Sequence, residues 1–360
     1  MTSLHRPCAC GCCFIVPPSV LRDLARNQAM DQRMRDMFEH TYMETQRLRV
    51  IRDGVRRALV QTRSSAHEMR RRSAIAAAAV QAQQRLFDCQ NRRSLPGSPV
   101  DTANSTDPAV KGVSTYTGKV AEFYQKNFSR NSIDNEGLDL VSSIHYMQDY
   151  DNAFWNGQQM VYGDGDGTVF TELWMSPDVI GHELTHGVTQ YESGLVYEGE
   201  SGALNESISD AFGAVFNQWL NNWPASDPQG WLIGAGIMGS QSLANGKTCL
   251  RDMVDPGNAH CLSPQPDSYD NFDPTADVHL NSGIPNKAFA VFAQAVGGNA
   301  WDQPIKVWYA ACTSGRLSAN ATFMDFANLT LDVAASQGGA SLQNQLQQAW
   351  EAVALPLATS

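Results

Sequence analysis

Two histidines flank a glutamate in His182-Glu183-Leu184-Thr185-His186. On a helix, residues four apart face the same way, so both imidazoles can reach one metal ion. Glu183 lies one residue round, close enough to act on a water at that metal without being a ligand. Ser176 is a good N-cap and Pro177 suits the first helical position, so the spacing predicts a helix from here. It should stop before Gly194. A catalytic site of this kind needs a third protein ligand and one open position. Glu206 follows within Gly202-Ala203-Leu204-Asn205-Glu206-Ser207-Ile208-Ser209-Asp210, again with an acid four residues on. Glu206 is the natural third ligand. Asp210 is placed to accept the remaining ring N–H of His182 and so fix its tautomer. Two acids at this spacing also suit a solvated helix face, but Ala203, Leu204, Ile208, Ala211 and Phe212 around them argue against full exposure.

With Gly194-Leu195-Val196-Tyr197 between these motifs, the chain resembles the thermolysin-like neutral metalloproteases. The likeness spans roughly residues 115–350. Asn152-Ala153-Phe154-Trp155-Asn156-Gly157 and Met160–Gly167 match that family's substrate-binding edge strand and turn. Asp277-Val278-His279-Leu280-Asn281-Ser282-Gly283 matches its downstream catalytic histidine segment. The resemblance implies one catalytic zinc on His182, His186 and Glu206, with Glu183 as general base. Tyr197 and His279 would hydrogen-bond the developing oxyanion, with Asp277 orienting His279. Asn152, Ala153 and Arg251 would bind substrate backbone. Phe170, Leu173, Val179 and Leu250 would line the pocket for the side chain after the scissile bond, which should be bulky and apolar. Protein or peptide substrates are the implied partners, and a small protein inhibitor is a further one by the same resemblance.

Two departures from that family matter. Asp178 keeps one position of its calcium-holding carboxylate cluster, but Asn217 stands where a Glu is expected. Trp219-Leu220-Asn221-Asn222-Trp223 replaces the acids that follow. A calcium site needs several oxygen ligands, so zinc is expected and calcium is not. The long propeptide is also missing. Phe14-Ile15-Val16-Pro17-Pro18-Ser19-Val20-Leu21 instead resembles the short propeptide of the protealysin-like branch, which carries a Pro-Pro-x-x-Leu element.

These motifs need elements to hold them. The 360 residues are 42% hydrophobic, enough for one or two buried cores, and no stretch is apolar enough for a membrane span. Residues 19–85 read as helical, with Val20-Leu21-Leu24 and Met34-Met37-Phe38 at helical spacing. A helix is expected around Lys119–Phe128, a strand at Leu140–Tyr146, and strands with tight turns over 153–175. Helices dominate from Ser176 onward. The expected fold is α+β: a helical propeptide over residues 1–72, then two catalytic lobes. Residues 73–195 form a β-rich N-terminal lobe that includes the zinc helix, and 196–360 a helical C-terminal lobe. The cleft lies between the lobes, with the zinc helix as its floor.

Net charge is −11, but the chain is divided. Residues 1–93 hold 17 arginines, no lysine and eight acids, a net of +9; the remainder has nine bases and 29 acids, a net of −20. Such an acidic body does not bind nucleic acid non-specifically. A basic arm can instead dock on that body as an inhibitory lid. Its tip is expected to be Pro17 and Pro18 with Leu21 in the cleft, because two prolines resist strand-like binding and Leu21 fits an apolar pocket. Removal by self-cleavage before Met69, Ile75 or Val80 would flank Arg70-Arg71-Arg72-Ser73. The rival is a zinc-binding protein without turnover that uses the arm for a membrane or nucleic acid; Glu183, Tyr197 and His279 speak against it. Cys8, Cys10, Cys12 and Cys13 are too close together for a structural zinc site, while Cys249 and Cys261 are spaced for a loop-closing disulfide in an oxidising compartment. The N-terminus lacks a recognisable secretory signal, which leaves export by another route or a cytoplasmic stage before release.

Overall fold

The computed structural model describes residues 13–60 and 82–357. The described chain opens with a short strand, β1 (Cys13–Phe14), followed by α1 (Pro18–Ala25) and α2 (Gln32–Val60). Pro18 sits in the first turn of α1, where a missing N–H costs nothing. The helical expectation for residues 19–85 holds for these two helices but fails at its end. Gln84–Arg92 is strand β2, because it finds a parallel partner in Leu140–Tyr146. The expected self-cleavage sites and Cys8, Cys10 and Cys12 lie outside the described residues.

After β2 come β3 (Ser98–Pro99), α3 (Pro108–Phe128), β4 (Leu140–Tyr146), β5 (Ala153–Trp155) and β6 (Met160–Tyr162). One sheet orders them β1-β5-β6-β4-β2-β3. The arm's own strand therefore closes the sheet edge on β5, antiparallel, with Cys13 opposite Trp155 and Phe14 opposite Phe154.

The predicted zinc helix is α4 (Pro177–Tyr191), entered from Ser176 as expected. Behind it runs α5 (Gly199–Asn221). Their backbones nearly touch: a Cβ on Gly213 would lie 2.5 Å from the Asp178 carbonyl oxygen and 3.1 Å from the His182 nitrogen. Glycine is required there, and the close crossing brings the α5 acids under the α4 histidines. The remaining elements are β7 (Leu232–Ile233), α6 (Ser240–Ala244), β8 (Arg251–Asp252), α7 (Val278–Asn281), α8 (Gly283–Val296), α9 (Pro304–Thr313) and α10 (Phe323–Ala352). Helices α8 to α10 pack around Trp308, whose ring stacks on Trp350 at 6.0 Å and meets Phe289 at 4.8 Å. The result is a sheet-bearing N-terminal lobe and a helical C-terminal lobe with α4 between them. Among the described residues, no helix is long and apolar enough to cross a membrane.

Candidate active site

The crossing of α4 and α5 gathers His182, His186 and Glu206 so that one ligand atom of each lies within 4.8 Å of the others. All three are fully buried. The two Nε2 atoms face each other at 2.9 Å, and Glu206 presents Oε2 3.4 Å from His182 Nε2. Each histidine is turned from behind. His182 Nδ1 meets Asp210 Oδ1 at 2.8 Å; His186 Nδ1 meets Asn205 Oδ1 at 2.8 Å and Ser209 Oγ at 3.0 Å. Two imidazole lone pairs and a carboxylate oxygen without a hydrogen-bond donor thus converge in a dry interior. Burying such a set is costly unless a cation joins it, and nitrogen with carboxylate oxygen is a donor set zinc accepts. Burial pushes the His186 imidazole down to about 3, which keeps it neutral, whereas Asp210 and Glu206 raise His182 to about 10 despite burial; a metal ion takes the place of that second proton.

Glu183 faces the same space. Its Oε2 accepts a hydrogen bond from the Trp155 backbone N–H at 2.8 Å, while Oε1 is buried without a donor. Burial and the nearby Glu206 charge push this carboxyl well above its ordinary value. On the other side, His279 Nδ1 is 2.5 Å from Asp277 Oδ1 and its Nε2 is 2.6 Å from the Phe14 carbonyl oxygen. Tyr197 Oη lies 3.2 Å from His279 Nε2 and donates to Glu206. Burial alone would raise the Asp277 carboxyl, yet His279 and Arg49 beside it hold it well below the usual range.

The cleft is filled by residues 13–16 of the same chain. Ile15 N–H donates to the Ala153 carbonyl at 3.1 Å, and Arg251 Nη1 donates to the Ile15 carbonyl at 3.0 Å. Asn152 takes the Val16 N–H on Oδ1 at 2.9 Å and gives Nδ2 to the Val16 carbonyl at 3.0 Å. Asn152, Ala153, Arg251 and His279 thus converge on one extended segment. Ile15 is fully buried in the same apolar cluster as Phe170, Leu173, Val179 and Leu250.

This shifts the register expected for the arm. The strand-like contact is made by Phe14–Val16, which keep their N–H groups. Pro17 and Pro18 then end the strand and begin α1, where the Pro17 carbonyl accepts the Leu21 N–H at 3.2 Å. Leu21 is buried in that same apolar cluster, and its N–H returns to Pro17 rather than to the cleft wall. Asp178 is also occupied: it accepts the Gly234 N–H at 2.5 Å and the Ser176 hydroxyl, tying the start of α4 to the turn after β7.

Sequence reasoning missed four contributors. Asn205 and Ser209 hold His186, Asn286 donates to Asp210 at 2.9 Å, and Arg49 of α2 reaches Asp277 at 2.7 Å. Asn205 and Ser209 flank Glu206 on α5 and could have been found from helical spacing. Asn286 and Arg49 carry no sequence signal. Arg251 has a further duty, a two-pronged buried pair with Asp210 at 2.7 and 2.8 Å.

A buried histidine–histidine–glutamate triad, a free carboxylate beside it and a substrate-like strand in the cleft define a metal-dependent peptidase. Comparison with known proteins agrees. Residues 39–190 match the thermolysin metallopeptidase catalytic domain, and residues 193–355 match its alpha-helical domain. The chain belongs to the thermolysin family of zinc metalloendopeptidases. It is 38% identical over 353 residues to an extracellular metalloprotease of Pectobacterium carotovorum subsp. carotovorum, covering 95% of this chain and 96% of that one. Protease PrtS of Photorhabdus sp. (strain Az29) is 37% identical over 284 residues, 75% of this chain and 76% of its own. The solved precursor of protealysin, from Serratia proteamaculans, superposes with a TM-score of 0.80 at 34% identity, covering 96% of this chain and 99% of that one.

Proposed function

We propose that this chain is the precursor of an endopeptidase that cuts on the N-terminal side of bulky apolar residues, held inactive by its own first segment until that segment is removed. The observation that carries this reading is the Phe14–Val16 segment, which takes the hydrogen bonds a substrate would take. Its Phe14–Ile15 peptide lies beside His279, with Ile15 where the residue after the cut belongs. Pro17, Pro18 and Leu21 act as the anchor behind it, folding the chain into α1 and away from the cleft.

His182, His186 and Glu206 would hold zinc, which when bound polarises the peptide carbonyl and acidifies water. Glu183 Oε1 then accepts the proton of the attacking water and passes it to the leaving nitrogen. Trp155 N–H keeps that carboxylate aimed. His279 Nε2 and the Tyr197 hydroxyl donate to the carbonyl oxygen as it becomes an oxyanion, each such donor typically worth about 3 kcal/mol of barrier. Asp277 keeps the His279 ring in place. Asn152, the Ala153 carbonyl and Arg251 fix the substrate backbone, and Phe170, Leu173, Val179 and Leu250 accept the apolar side chain. Asp178, engaged with Gly234 and Ser176, is not offered to calcium, and Asn217 adds no charge there.

The proposed units remain a propeptide over residues 1–72 and lobes over 73–195 and 196–360. Export is supported by the extracellular designation of the Pectobacterium relative. The test is inhibition in trans. A synthetic peptide covering residues 13–40 should inhibit the arm-free enzyme, and the same peptide carrying Ile15→Asp should not. Equal inhibition by both would remove the substrate-like reading.

A further inference from the structure

The geometry points to a second metal site, for a thiophilic divalent cation such as zinc, built from Cys249, Cys261 and His260. One ligand atom from each lies within 4.8 Å of the others, the only such group among the described residues besides the catalytic triad. The two sulphurs are fully buried and 3.9 Å apart, not bonded to each other. A disulfide needs about 2 Å; two thiolates on one tetrahedral zinc, at about 2.3 Å each, stand roughly 3.8 Å apart.

The third group favours a metal over a disulfide. His260 Nε2 is 3.1 Å from Asp252 Oδ2, and Asp252 is itself pinned by the Val254 and Asp255 N–H groups on Oδ1. A carboxylate on one imidazole nitrogen is the arrangement that aims the other at a metal. The scaffold is already closed by Thr248 N–H to the His260 carbonyl, Leu262 N–H to the Cys249 carbonyl, and Lys247 Nζ to the carbonyls of Ala259 and Cys261. The His260 side chain is 31% exposed, which leaves a path for the ion and a water as fourth ligand. Sulphur and imidazole together select zinc over calcium or magnesium. A cation here braces the loop that begins with Leu250 and Arg251, so it stiffens the substrate-facing strand without touching substrate.

Zinc content of the full chain decides the matter. The Cys8→Ser/Cys10→Ser/Cys12→Ser/Glu183→Gln background removes three of the four crowded N-terminal thiols, keeps the buried Cys13 of β1, and limits self-digestion. After zinc loading and desalting it should hold about two zinc ions per chain, falling to about one with added Cys261→Ser, and also to about one with added Glu206→Gln. His260→Gln, a part-exposed change that spares folding, should weaken the second ion by about 10-fold or more. Cobalt loading should give a thiolate charge-transfer band that Cys249→Ser abolishes and Glu206→Gln leaves. One zinc per background chain, or a peptide map showing Cys249 joined to Cys261, would overturn the site.

Discussion

The floor of the cleft and its rim are built in opposite ways. On the floor, His182, His186, Glu206 and Asp210 all come from two adjoining helices, and their contacts with one another join residues four to 28 apart. Every supporting side chain is buried and held from behind. At the rim, the Val16, Ile15 and Phe14 contacts join residues 136, 236 and 265 apart, largely through backbone atoms. The floor is preorganised and cannot be switched off without dismantling the helix pair. The rim is an ordinary strand pairing, which on the proposed reading one cut in the chain behind it would release. The proposed precursor role needs this division: rigid chemistry below a removable cover.

Breaking the floor should have the largest effect. Chelation, or Glu206→Gln, should remove the catalytic zinc and abolish casein hydrolysis, with the loss of metal read by elemental analysis. Next, Glu183→Gln should retain that zinc and the far-ultraviolet spectrum while kcat/KM falls by about 10³-fold; activity within tenfold of wild type would remove Glu183 from its role. The rim should respond more mildly. In the Glu183→Gln background, Asn152→Ala deletes two hydrogen bonds to Val16, about 2 kcal/mol, and should speed proteolytic release of the arm roughly 30-fold. Arg49→Ala in that background should speed release only about threefold to tenfold, since this pair is partly exposed. An unchanged release rate in both variants would mean the cover is held elsewhere.

The smallest effect concerns the support behind the rim strand. His145, at the end of β4, bridges Asp164 at 2.8 Å and Asp107 at 3.0 Å, and Asp164 with Asp107 raises its imidazole to about 9 despite burial. A raised folded-state value stabilises fully below the unfolded value of about 6.5 and is lost as pH climbs through about 9. His145→Gln should therefore lower Tm by roughly 2–4 °C near pH 6 and by almost nothing near pH 10. A deficit independent of pH would show that packing, not the ion pairs, is at stake.

Much of the site was legible because helices report themselves locally. The four-residue spacings of His182 with His186 and of Glu206 with Asp210 place those pairs on single faces whatever surrounds them. Strand β4 was legible too, at Leu140–Tyr146. Residues 84–85 were not, because a polar Gln-Arg start after an alanine- and arginine-rich stretch reads as helix until β4 offers it a ladder. The arm's register was misplaced for a related reason. Two prolines look like the feature that matters, but they lack the N–H groups that Ala153 and Asn152 require, so the residues before them take the cleft.

Sequence by itself determined the chemistry available: a two-histidine helix, a following acid pair, the downstream Asp277–His279 pair and the family these define. It did so because short-range spacing and residue type are enough to fix a ligand set on helices. Only the tertiary structure decided how that set is held and covered. Asp210 serves His182, Arg251 and Asn286 together, Arg49 reaches Asp277 from the arm, and Phe14–Ile15 lies across the centre. These partners are 28 to 265 residues apart. No local periodicity encodes such contacts; they exist because the close α4–α5 crossing and the β5 edge bring distant backbone together, and burial then makes each polar group pair with what the fold puts within reach.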